Sequence, residues 1–534
     1  MSTLKEQLRA DLTTAMKARD ELVRTTLRSV LTSVGNAEVA GDTARELSDD
    51  EVRAVITKET KRRAESAQAF ADGGRPESAE PWDGVFSADD FGASCMQNPA
   101  IFGEPGEDCL SLNIWAHGDK TERPIMVWIY GGGFVVGETA MGLYDGADLA
   151  DDADVVVVTL NYRLGLFGNL ALPELAEEDP QGSMGNMGVL DQIEALRWVK
   201  ANARAFGGDP ENVTIFGESA GGNAVTTLLA TPAARGLFHR GIAESSAPGL
   251  VATKERATEW AREFVGFLGN GDNAAQALDS ADVTSLGRAG TKLAFTVLNR
   301  TPGLHPFGPV IDGDFLPENP LDACHAGSAH QVPLIIGTNS REGTLFPKIL
   351  DALPTNPERI DKMFSLTDPD ARDRVVEAYP GYPGEAAAID VGGDFTFWKP
   401  SLELAEAHSR LAPTFSYRFD FAPRVMKWLG LHATHGFELF AVFGINETAF
   451  GKLMTVPGGR AAFAHVTEQV QSNWLHFART GTPMDHWPTY DEATRSTMIF
   501  DARTRVQRDP RRDRRQAWEG YRGYASQKTE PSAT

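Results

Sequence analysis

Cysteine is nearly absent from this chain, with only Cys95, Cys109 and Cys324 in 534 residues. So few exclude a disulfide framework as the main source of stability, and a chain this long can bury a core without one. Cationic charge is scarce too. Fifty-one Lys and Arg stand against 74 Asp and Glu, a formal net charge of −23, which disfavours non-specific binding to nucleic acid or to anionic lipid. No apolar run reaches the roughly eighteen residues a membrane span requires. The opening MSTLKEQLRADLTTAMKARDEL is charged throughout and lacks the apolar centre of a secretory leader. These absences predict a cytoplasmic protein with no membrane partner. Cys324 reads as a buried apolar residue.

What is present falls into two parts. In residues 1–76, Leu4, Leu8, Leu12 and Met16 recur at helical spacing, as do Val23, Leu27, Val30, Leu31 and Val34. Ser48-Asp49-Asp50-Glu51 has the form of a capping box, serine accepting from the helix amides and glutamate reaching back. KETKRRAESAQAFADGG then continues the helical pattern to Gly73-Gly74. From about residue 80 to 520, strands and helices alternate as a mostly parallel sheet with helices on both faces requires. Predicted strands include 125–130, 155–162, 213–216, 334–337 and 415–419, with a helix over 190–199. Residues 521–534 read as a disordered tail. The fold class is therefore α/β, preceded by a short all-helical segment.

The chemistry centres on FGESAGG, residues 216–222. The pattern alone is weak, but here a β-branched strand runs into it and a helix-compatible segment follows. A strand that turns sharply into a helix needs small neighbours, which Gly217, Gly221 and Gly222 supply. That turn would hold the Ser219 hydroxyl out at the end of the sheet as a nucleophile. A serine needs a base, an acid to orient the base, and donors for the oxyanion. Tyr130-Gly131-Gly132-Gly133-Phe134 follows a strong strand, so Gly132, Gly133 and Ala220 are the candidate amide donors. Glu342 lies on the loop beyond the 334–337 strand, in the chain order Ser, acid, His typical of such enzymes. Among 11 histidines, His435 and His432 both follow it, and the residues alone leave His432 as an alternative to His435.

From Trp82 to about Trp518 the chain resembles the type-B carboxylesterases, the family that includes the cholinesterases. The similarity is carried by EDCLSLNIW, VWIYGGGFVVG, NYRLGLFGNL, GNMGVLDQIEALRWVKANARAFGGDPENVTIFGESAGG, GPVIDGDFLPENP, GTNSREG, HGFELFAVFG and WLHFARTGTP. The resemblance implies an α/β-hydrolase fold with Ser219 as nucleophile, Glu342 as acid and His435 as base. It implies an oxyanion hole of Gly132, Gly133 and Ala220, and supporting positions at Glu218 and Ser245. Leu304–Pro309 would border the acyl pocket. Cys95 and Cys109 match a disulfide pair of secreted relatives, and in a reducing cytoplasm they would be thiols.

The implied activity is hydrolysis of small-molecule esters, short-chain aliphatic or aryl, with no metal or cofactor. The Gly-Ile-Pro-Tyr-Ala-like signature and edge strands that usually precede Trp-Asp-Gly in this family are missing, and residues 1–76 take their place. That segment resembles the small helical proteins related to the tail of the tRNA-dependent amidotransferase B subunit. A noncatalytic or inactive fusion, or a tRNA-associated adaptor, is the competing reading. Oligomeric state carries no signal.

Overall fold

The computed structural model describes residues 105–116, 121–173, 185–269, 274–349 and 351–526, with 3–18, 51–53, 90–97 and positions 31, 34, 45, 47, 48 and 88 before them. The chain forms two compact units, one of residues 1–74 with 275–282, the other of 75–274 with 283–534.

In the first unit α1 spans Leu4–Ala18. Leu4, Leu8 and Leu12 are half-buried while Gln7, Arg9 and Ala10 are exposed, as the helical spacing requires. Leu31 and Val34 are helical, whereas Val23, Leu27, Val30 and the KETKRRAESAQAFADGG stretch lie outside the described residues. The capping box forms. The Ser48 amide donates to Glu51 Oε2 at 2.9 Å, and the Glu51 amide donates to Ser48 Oγ at 3.4 Å.

The second unit is built on one nine-stranded sheet. Its strands are β1 Leu112–Trp115, β2 Arg123–Ile129, β3 Val156–Leu160, β4 Gly208–Glu218, β5 Arg240–Glu244, β6 Leu334–Asn339, β7 Thr414–Phe419, β8 Ser496–Phe500 and β9 Arg505–Arg508. Across the sheet they run β1-β3-β2-β4-β5-β6-β7-β8-β9. The seven from β3 to β8 are parallel, and β1 and β9 close the two edges antiparallel.

Parallel strands joined by crossover helices bury both faces, which is why their sequences are continuous apolar runs. Val127, Val157, Ile215, Ile242 and Ile335 are fully buried accordingly. Helix α2 (Met187–Asn202) leads into β4, α3 (Ala220–Ala230) leaves it, and α4 (Arg460–Thr480) packs on β2, β4 and β8.

Two expectations are corrected here. Cys95 and Cys109 are joined in a disulfide, with Cα atoms 4.8 Å apart, rather than held as thiols. The thiol expectation rested on compartment alone, whereas this separation lies within the range a disulfide spans. The ordered chain also passes residue 521. Tyr521 packs 5.4 Å from Phe364 and 5.0 Å from Trp518, Tyr524 is buried, and a short helical turn covers Gly523–Ser526. These aromatic contacts fix the segment.

Candidate active site

Ser219 sits between the end of β4 and the start of α3, with φ 59° and ψ −120°. A non-glycine residue in that region is strained and is held there by its surroundings. The Ser219 amide donates to the Glu244 carbonyl at 3.0 Å, and its own carbonyl accepts from the Asn223 amide at 2.8 Å. The glycines make the crossing possible. A Cβ on Gly217 would lie 2.6 Å from the Ile129 carbonyl oxygen, and one on Gly221 would overlap the same oxygen.

His435 and Glu342 come to this turn from the loops beyond β7 and β6. His435 Nε2 lies 2.8 Å from Ser219 Oγ, and Nδ1 lies 2.7 Å from Glu342 Oε2. In the neutral imidazole this pairing places the proton on Nδ1, which donates to the carboxylate, and leaves Nε2 to accept from the serine. The imidazole is clamped from the side by Phe397, stacked at 4.2 Å, with Phe346 at 5.3 Å. His432, the alternative base, makes no such contact with Ser219 or Glu342. Gly131 of the glycine loop touches the same turn, since a Cβ there would be 2.9 Å from Ser219 Cβ. Gly132 (φ 115°) and Gly133 (φ 63°) follow in conformations that side chains resist. Gly308 abuts Phe134 beyond them, a Cβ there falling 3.5 Å from its ring. The Leu304–Pro309 loop thus borders the glycine loop.

Sequence reasoning named Glu218 and Ser245 but missed how much charge is buried here. Glu218, Glu244, Glu342 and Glu438 are all buried. Four adjacent carboxylates cannot all ionise out of water. Desolvation raises Glu218 to about 8. Desolvation, joined by repulsion from Glu342, raises Glu438 to about 7, and burial pushes Glu244 well above the usual carboxylate range.

Glu342 is served by donors: Asn339 N at 2.5 Å, Ser245 Oγ at 2.7 Å and His435 Nδ1. Ser245 Oγ also lies 2.5 Å from Glu438 Oε1. A hydroxyl carries one proton, so if it donates to Glu342 the second contact takes its proton from Glu438. That requirement agrees with the raised Glu438. Trp474 Nε1 donates to Glu244 at 2.6 Å. Burial acting alone would lower His435, but Glu218, at 3.3 Å from Nε2, with Glu342 and Glu438 outweighs it and raises the imidazolium to about 9. Glu438 and Asn339 stand inside motifs already singled out, three residues after His435 and three before Glu342. Their proximity in sequence was the available signal.

The carboxylesterase family profile matches residues 74–518. The chain belongs to the carboxylesterase family. This carboxylesterase is 37% identical over 460 residues to the para-nitrobenzyl esterase of Bacillus subtilis, covering 83% of this chain and 90% of that one. It is 33% identical to a liver carboxylesterase of Sus scrofa, covering 78% of this chain and 80% of the other. Among solved structures, a PNB esterase superposes with a TM-score of 0.72 at 36% identity, over 83% of this chain and 92% of its own. A Geobacillus stearothermophilus carboxylesterase superposes with a TM-score of 0.72 at 34% identity, over 84% and 92%. The fold is thus an α/β-hydrolase and the protein a carboxylic ester hydrolase of the serine hydrolase class. A second profile, Yqey-like protein, matches residues 5–83, so the N-terminal segment is Yqey-like.

Proposed function

We propose that this enzyme hydrolyses short-chain aliphatic or aryl carboxylic esters through an acyl-enzyme on Ser219. The observation that carries the reading is the unbroken contact chain Ser219 Oγ–His435 Nε2 and His435 Nδ1–Glu342, at 2.8 and 2.7 Å. His435 takes the serine proton as Oγ attacks the ester carbonyl, and Glu342 stabilises the resulting imidazolium. The amides of Gly132, Gly133 and Ala220 receive the oxyanion. Such donors are typically worth about 3 kcal/mol each. The alcohol leaves with the proton from His435, and water then releases the acid through the same groups.

Substrate class rests on the wall around His435. Phe346, Phe397, Leu250 and Leu353 form an apolar cluster there with Ala247, suited to small acyl or aryl groups. Similarity to a para-nitrobenzyl esterase supports aryl esters. A complete contact set at Ser219 speaks against the noncatalytic reading.

We also read the 80–520 domain as one whose usual N-terminal edge strands are replaced by the 1–76 segment. Among the described residues no strand precedes Ser94, and β1 is the outermost strand on that side. The bonded Cys95–Cys109 pair favours an oxidising setting over the cytoplasm.

The test is hydrolysis of p-nitrophenyl butyrate by the full chain beside Ser219→Ala. The reading requires an active parent and a variant several orders of magnitude slower. A folded parent without activity overturns it.

A further inference from the structure

Close to the catalytic histidine lies a surface that the ester chemistry does not use. Phe346, whose ring is 5.3 Å from His435, begins a short helical turn that ends at Ile349. Ile349 is 75% exposed. Beside it run two further segments, with Trp428 at 72%, Leu429 at 56%, Phe450 at 52%, Leu453 at 68% and Val456 at 76% exposed.

These segments form one face. Lys348 Nζ donates to the Leu429 carbonyl at 2.9 Å, Arg424 donates to the Pro457 carbonyl at 3.0 Å, and helix Arg424–Trp428 packs on helix Ala449–Met454. Phe450 and Leu453 are one turn apart on the latter helix, and the Phe450 ring lies 5.7 Å from Phe440. Scattered exposed apolar residues need no explanation, but six large ones on three contiguous segments do.

The charge of this face is opposite to that of the chain. Within 346–349, 424–431 and 447–460 there are five basic residues, Lys348, Arg424, Lys427, Lys452 and Arg460, and one acidic residue, Glu447, in a protein of net charge −23. Screening confines electrostatics to about 10 Å at ordinary ionic strength, so a surface brought against this face meets the local cations before the acidic body. Exposed tryptophan and aliphatic side chains ringed by Lys and Arg are the composition that settles at a lipid–water boundary.

We propose that this face, which Phe346 links to His435, docks the enzyme on anionic lipid surfaces, with esters held in them as its substrates. The docking itself does not depend on the role assigned to Ser219. Whole-chain charge and the lack of a spanning run led to the expectation of no membrane partner; the local charge of this face is of the other sign.

The test is co-sedimentation of the full chain with vesicles of phosphatidylcholine alone and of phosphatidylcholine mixed with phosphatidylglycerol. Binding to the mixed vesicles that weakens with added salt is the expected result. Trp428→Ser with Leu453→Ser, and separately Lys427→Glu with Lys452→Glu, should each weaken it by about tenfold or more. Hydrolysis of dissolved p-nitrophenyl butyrate by both pairs should match the parent, which shows that they are folded, and Ser219→Ala should bind vesicles as the parent does. Absence of binding to the mixed vesicles overturns the proposal, as does equal binding to phosphatidylcholine alone. So does a self-associated form that the Trp428→Ser, Leu453→Ser pair dissolves, because a second copy would then be what covers the face.

Discussion

Replacing Glu218 with Gln keeps the size of the side chain and removes a charge 3.3 Å from His435 Nε2. At an effective dielectric constant near 20, an ionised carboxylate at that distance favours the imidazolium by about 5 kcal/mol, equivalent to between three and four pKa units. That is a ceiling, because Glu218 does not carry a full charge at neutral pH. Desolvation raises it to about 8, so it ionises over the range in which His435, raised to about 9, gives up its proton.

With His435 as the proposed base, a raised pKa means that it is protonated, and idle, below that value. Removing the carboxylate destabilises the imidazolium and frees the base at lower pH. The acid limb of kcat/KM, which reports the base in the free enzyme, should therefore move down by about one to two pH units in Glu218→Gln. Initial rates on p-nitrophenyl butyrate at constant ionic strength, from roughly pH 6 to 10, cover the limb in both proteins. An unmoved limb would refute the reasoning, since Glu218 would then be neutral throughout the titration of His435. A limb displaced upward would refute it more severely.

Other consequences are simpler to state. Ser245→Ala removes the hydroxyl between Glu342 and Glu438. It should cost about 1–3 kcal/mol in thermal unfolding and lower kcat with KM nearly unchanged; a parent-like Tm contradicts the shared-proton arrangement. Gly221→Ala would ordinarily stabilise a helix by about 1 kcal/mol. Here the added Cβ collides with the Ile129 carbonyl, so the denaturant midpoint should fall by the equivalent of about 2 kcal/mol or more. The Cys95–Cys109 bond spans a sequence separation of 14, and a loop of that size is worth about 3 kcal/mol. Reduction, or Cys95→Ser, should lower Tm accordingly, while an unchanged Tm would show that the bond constrains nothing the unfolding transition reports.

Periodicity made the sheet legible, because strands buried on both faces must be apolar along their length. Predicted strands at 125–130, 155–162, 334–337 and 415–419 lie within two residues of β2, β3, β6 and β7 at every end. The strand before Ser219 was placed at 213–216 although β4 begins at Gly208, since Gly208-Asp209-Pro210-Glu211-Asn212 has turn composition and carries no apolar pattern. The strand-to-helix crossing at Ser219 was legible from the β-branched strand before it and the small residues Gly217, Gly221 and Gly222 around it. Glu342 and His435 were not, because a loop residue gives no pattern until its strand has neighbours, and only the family resemblance separated His435 from His432. Tyr521 and Tyr524 fell inside the stretch read as a tail, yet two tyrosines so close to Trp518 are poor candidates for open solvent.

The buried carboxylates show what a strand list lacks and how little more it needs. Glu218 and Glu244 end β4 and β5, Glu342 lies just beyond β6, and Glu438 follows β7 in the loop that carries His435. These four strands are consecutive across the sheet and all parallel. Their C-terminal ends therefore stand side by side at the usual spacing of about 4.8 Å, and Glu218 and Glu244 are direct register partners. Chain order and spatial order coincide over this half of the sheet, so an acid at the end of each strand becomes a row of acids at one edge. Placed there they repel one another, three of them lie in or above the neutral range, and the imidazole beside them is the nearest group that can be positive. The elevated His435 is thus a consequence of strand order, and exchanging Glu218 for Gln asks directly whether the row sets it.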